Sequence, residues 1–118
     1  MMKTSEIKFT VTLDDQKMPV KIDWSASDEV EQSATKAVMI SLWDPNEQNT
    51  LRIDLWTHDM MVDEMKQFYH QSLLSMADTL ERATGEVEAA KAMRLFAQQF
   101  GEKMNILMKN KFYELGEH

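Results

Sequence analysis

Residues 51–70, LRIDLWTHDMMVDEMKQFYH, crowd two histidines and three carboxylates into the stretch after Trp56: His58, Asp59, Asp63, Glu64 and His70. Imidazole beside carboxylate is the donor set of a zinc site or a general acid–base pair. The spacing argues against both. An apolar helical period begins at Val62, so Asp59 falls where an N-cap carboxylate accepts backbone N–H groups. Asp63 and Glu64 fall in the first turn, where the helix dipole favours anions. His70 shares an outward face with Lys66 and Gln67, while Tyr69 points inward. A site joining His58, Asp59 and His70 would have to span about two helical turns, roughly 11 Å of axis, too far for direct coordination. No HExxH spacing is present. The stretch reads as the junction between a strand and a helix.

Other chemistries find no support either. The chain has no cysteine and only three glycines, Gly85, Gly101 and Gly116, which frame neither a serine elbow nor a phosphate-binding loop. Glu6, Asp23 and Asp54 share one strand face, but Lys8, Lys21 and Arg52 interleave with them as a solvated charge ladder. No catalytic residue, cofactor or metal ligand is therefore expected, and the chain is not read as an enzyme. The net charge of −7, from 20 acidic against 13 basic residues, repels nucleic acid and anionic lipid. Neither a signal peptide nor an apolar run of about 20 residues is visible, so a soluble cytoplasmic protein is expected.

The elements that hold these residues follow from periodicity. Ile7, Phe9, Val11 and Leu13 alternate with polar residues, as do Met18, Val20, Ile22 and Trp24 beyond the turn residues DDQK. Matching the apolar faces sets Leu13 opposite Met18, Val11 opposite Val20, Phe9 opposite Ile22, and Lys8 opposite Asp23. Residues 26–35 read as a polar connection. Val38, Ile40 and Leu42 then face Leu51, Ile53 and Leu55 across the loop DPNEQN, with Ser41 opposite Arg52. Val62, Met65, Tyr69, Leu73, Met76 and Leu80 form one amphipathic helix, broken near Gly85. Ala89, Met93, Phe96, Phe100, Met104 and Leu107 form a second. A frayed tail is expected from about residue 109.

The expected fold is α+β: a two-layer sandwich in which one four-stranded antiparallel sheet is followed by two C-terminal helices, ββββαα, packed on its apolar face. The whole of 1–118 is read as a single domain.

The other sheet face carries one anomaly. Met39, Trp43 and Trp56 point away from the helices, with Ala37 beside them. Three large apolar groups there form a candidate surface for a partner or a second copy of the chain. Alternatively the two tryptophans, at strand ends, fold over the sheet edge or lie under residues 26–35. Of the 11 methionines, Met65, Met76, Met93 and Met104 read as adaptable core filler.

The blocks SEIKFTVTLDD, KIDWSASD, NTLRIDLWTHDM, VDEMKQFYHQ and SMADTLERATG resemble the gliding-motility GldC family of the Bacteroidota, in order from Ser5 to about Gly85 and more weakly to about Lys103. The resemblance implies a small, acidic, cytoplasmic accessory of surface gliding, a machinery linked to type IX secretion. It implies other gliding components as partners, with the lipoprotein GldB as usual companion, and no enzymatic activity. Met61 stands where a proline is expected in the family, and the family supplies no functional residues to carry over. Two functions follow as expectations: a non-enzymatic interaction protein of gliding, or an acidic holdase-type chaperone or secretion adaptor linked to type IX secretion. The ββββαα order resembles the secretion chaperone SecB at the level of fold alone.

Overall fold

A computed structural model describes residues 1–27 and 30–107. The expectation for the tail beyond residue 109 lies outside them. The chain forms two compact units, Met1–Met60 and the remainder from Met61.

The first unit contains β1 (Ile7–Leu13), β2 (Pro19–Ala26), β3 (Val30–Thr35), β4 (Ala37–Asp44) and β5 (Asn49–Trp56). The class is α+β as the alternation implies, but the single four-stranded sheet is not formed. Five strands make two antiparallel sheets, ordered β1-β2-β3 and β4-β5. The difference lies in residues 30–35, which form a strand rather than a polar connection. On the face where β2 presents Ile22 and Trp24, β3 opposes them with Thr35 and Ser33. With no apolar residue in those positions, β3 leaves no hydrophobic alternation to read. It takes the free edge of β2, and β4, one residue later, pairs with β5 instead.

The β1–β2 register also departs from expectation, by two residues. Val11 faces Ile22, Phe9 faces Trp24, and Leu13 faces Pro19 across a bulge. A two-residue shift keeps every side chain on its face, so alternation fixes the parity and the turn fixes the register. Asp14 Oδ1 accepts the N–H groups of Gln16 (2.8 Å) and Met18 (3.0 Å), and Lys17 takes the left-handed φ of 63°. Lys8 thus faces Ser25, not Asp23. The β4–β5 pairing agrees with the sequence reading throughout: Leu42 opposite Leu51, Ile40 opposite Ile53, Ser41 opposite Arg52. Its turn repeats the device of the first, with Asp44 Oδ1 accepting the N–H of Asn46 at 2.9 Å and Gln48 at φ 54°.

Ile22, flanked by Val11 and Thr35, is the one large side chain that is wholly enclosed among the described residues, and Val38 is nearly so. Just past β5, one backbone bond continues the β4–β5 ladder and the next reaches across to β2 of the other sheet. Thr57 N–H donates to the Lys36 carbonyl at 2.8 Å, and His58 N–H to the Pro19 carbonyl at 3.2 Å.

The second unit is a helical hairpin of α1 (Val62–Thr84) and α2 (Val87–Lys103). Glu64 accepts the N–H of the N-cap Met61 at 3.0 Å, one half of a capping box; a methionine has no oxygen to complete the other half. Asp63 and Glu64 do lie in the first turn, and Gly85, at φ 73°, ends α1 by donating to the Glu81 carbonyl. Only glycine takes that conformation without strain.

The buried residues of the hairpin are all small: Ala77 on α1, and Ala90, Ala97 and Gly101 on α2. Such residues allow close backbone approach. Arg94 crosses from α2 to Asp78 (2.8 Å) and Glu81 (3.0 Å) on α1, and both carboxylates raise its pKa further. The apolar stripes expected from the sequence are covered in part: Met65, Leu73, Leu80, Met93 and Phe100 are half-buried, while Val62, Tyr69, Met76 and Phe96 are exposed, as is Ala89.

Candidate interaction surface

His58 and Asp59 are held by structural bonds. Asp59 is not the N-cap of α1, which begins three residues later. Its Oδ1 accepts the hydroxyl of Thr57, two residues back, at 2.5 Å. That bond comes first in holding the Asp59 carboxyl below its ordinary value, against the opposing push of desolvation, with the Lys36 charge acting in the same sense as the bond. His58 Nδ1 lies 3.5 Å from the Pro19 carbonyl oxygen, beside the bond its own N–H makes there.

In the other unit, His70 is not on an outward face. It is half-buried, and its Cδ2 would lie 3.1 Å from a Cβ placed on Gly101 of α2. Lys66, expected outward as well, donates through Nζ to the Met104 carbonyl at 3.2 Å and so caps the end of α2. Among the described residues, no three His, Asp or Glu side chains come together as a metal-binding group.

The charge ladder resolves into pairs along single strands. Lys8 reaches Glu6 at 3.4 Å, Lys21 reaches Asp23 at 3.5 Å, and Arg52 reaches Asp54 at 2.9 Å. In each case cation and carboxylate are two residues apart in sequence, on one strand for Lys21–Asp23 and Arg52–Asp54 and at the start of β1 for Lys8–Glu6.

The candidate surface stands on β4–β5. Ala37, Met39, Ser41 and Trp43 line one face of β4, opposite Trp56, Asp54, Arg52 and Thr50 of β5. Trp43 is 65 % and Trp56 54 % exposed, while Met39 is half-buried. The three residues share a face but do not form one cluster. Trp56 is paired with the first residue of β4 and Trp43 with Thr50 near the turn, so the rings are rooted about 20 Å apart along the ladder. Residues 30–35 of the expected connection form β3 in the other sheet.

Between the tryptophans lies a polar centre that the alternation placed but did not single out. Arg52 donates through Nη2 and Nε to the Asp54 carboxylate at 2.9 and 3.4 Å, and through Nη1 to Ser41 Oγ at 2.8 Å. The guanidinium is thereby locked flat against the strand pair, although an exposed pair of this kind adds at most about 1 kcal/mol to stability. The Ser41–Arg52 register was the available signal for it. The surface is a sequence of indole, charged centre and indole along one strand pair.

No helix among the described residues is long and apolar enough to cross a membrane. No curated protein and no solved structure matches the chain. One family does: the profile described as "Gliding motility-associated protein GldC-like" matches residues 19–106. The match takes in β2 through α2 and leaves β1 outside it.

Proposed function

The chain belongs to the GldC-like family of gliding motility-associated proteins, and from that premise we propose that it is a non-enzymatic accessory of bacterial surface gliding that works through protein–protein contact. The observation that supports this reading is the pair of exposed tryptophans, Trp43 and Trp56, set at the two ends of one strand pair. Exposed indoles on a fixed backbone are the commonest anchors of protein interfaces, because they bring large area with little side-chain entropy to lose. The Arg52–Asp54–Ser41 centre and Met39 lie between the anchors, where they would set orientation. The partners in this reading are other gliding components, the lipoprotein GldB first among them, and the chain itself acts in the cytoplasm.

The test is binding of purified gliding components, the soluble part of GldB included, to the immobilised chain and to its Trp43→Ser, Trp56→Ser and doubly substituted forms. Each single substitution is expected to weaken binding at least about tenfold. The two losses should add, since the sites are too far apart to couple. Binding that the double variant leaves unchanged overturns the role of this face.

A second reading, a holdase-type chaperone or adaptor of type IX secretion, draws on the large apolar side chains exposed elsewhere, Met18, Met61, Leu95 and Phe96 among them. Suppression of light scattering by an aggregating client at near-stoichiometric ratio would favour it; scattering that the protein leaves unaltered rules it out.

A further inference from the structure

The β4–β5 pair has a second face, and that one is apolar throughout. Opposite the tryptophan face, Val38, Ile40 and Leu42 meet Leu55, Ile53 and Leu51. Leu42, Leu51 and Ile53 are 52, 50 and 48 % exposed, and none of the six positions carries a charge. A two-stranded pair is marginal in water unless one face is covered. The exposed part of this row presents on the order of 300 Å² of apolar surface per copy, more than half of the roughly 500 Å² of apolar area that each side of a standard dimer contact brings.

We propose that this row is the contact between two copies of the chain, related by a two-fold axis passing near Leu51. A two-fold contact sets a patch against itself, so a patch of a single charge sign meets its own sign. Each chain carries a net −7, and an uncharged row is where two such chains approach with least repulsion. Arg52 and Asp54 lie on the other face. At the hairpin tip, the Asp44 carboxylate is turned into its own loop, where it accepts the N–H groups of Asn46 and Glu47. The dimer leaves both tryptophan faces outward, so that a partner with two copies of its own site is held bivalently. This inference does not depend on what binds the tryptophans.

Sedimentation equilibrium of the intact chain over about 1–200 µM tests it. The mass is expected to climb from 13.8 kDa towards twice that value. Leu51→Glu and Leu51→Lys should each weaken association by about 30-fold or more, since each buries like charges against each other. Mixing the two variants should restore association, and Trp43→Ser should leave it intact. Circular dichroism checks that the strands persist; if the charged variants unfold, Leu42→Thr, at a half-exposed position, takes their place. A chain that stays at 13.8 kDa throughout, or a dimer indifferent to all these row substitutions, overturns the proposal.

Discussion

Thr57 and Asp59 are joined hydroxyl to carboxylate at 2.5 Å, just where β5 has ended. Thr57 is 3 % exposed, and its single hydroxyl proton goes to the carboxylate while its backbone N–H goes to Lys36. The bond favours the ionised form and lowers the Asp59 pKa from its ordinary 3.8. A carboxyl lowered on folding contributes stability above its unfolded pKa and loses it as pH falls through the folded one. Asp59→Asn should therefore melt below the parent protein at neutral pH, with the gap closing in the acid range below about 3.8. Melting curves that run parallel at all pH values would contradict this coupling.

Ile22 should be the most sensitive position of the first unit. It is wholly enclosed, with Val11 on one side and Thr35 on the other. Ile22→Val is expected to cost about 1 kcal/mol and Ile22→Ala about 2–5 kcal/mol in denaturant unfolding. The same truncation at the exposed Ile7 should cost under about 0.5 kcal/mol. Equal losses at the two sites would mean that the first unit is not organised around Ile22.

Gly101 poses a conflict between helix propensity and space. Alanine is better than glycine inside a helix by about 1 kcal/mol. A Cβ here, however, would lie 2.5 Å from Leu107 Cδ1 and 2.9 Å from its Cγ. Crowding of that order costs about 1–3 kcal/mol unless the neighbour moves. Gly101→Ala should therefore destabilise the chain, and should do so less, or even stabilise it, in a Leu107→Ala background. Calorimetry on the four proteins of the cycle decides it; additive effects would show that Leu107 does not press on Gly101 in solution.

Legibility in the sequence tracked how directly each feature is written in side-chain type. The β4–β5 register could be read in full because Leu42, Ile40, Leu51 and Ile53 leave a single sensible pairing and the turn between them is closed by Asp44. The extent of α1 was legible for the same reason: an apolar period with Gly85 at its end. β3 was not, because what makes it a strand is the free edge of β2, and its own residues only have to be tolerated there. The seam of the helical hairpin escaped notice because Ala77, Ala90 and Ala97 register weakly in any count of large apolar residues. Met39, Trp43 and Trp56 were correctly assigned to one face by parity, yet parity carries no information about distance along the ladder. The pairing of Ala37 with Trp56 supplies that.

The choice of alanine and glycine for the helix–helix seam has an evolutionary corollary. The small buried residues and the Arg94 clasp sit where the two rods meet, while Tyr69, Met76 and Phe96 lie exposed and are released from the job of holding the hairpin shut. Lineages can exchange those bulky groups to suit a changing environment while the scaffold beneath them stays closed.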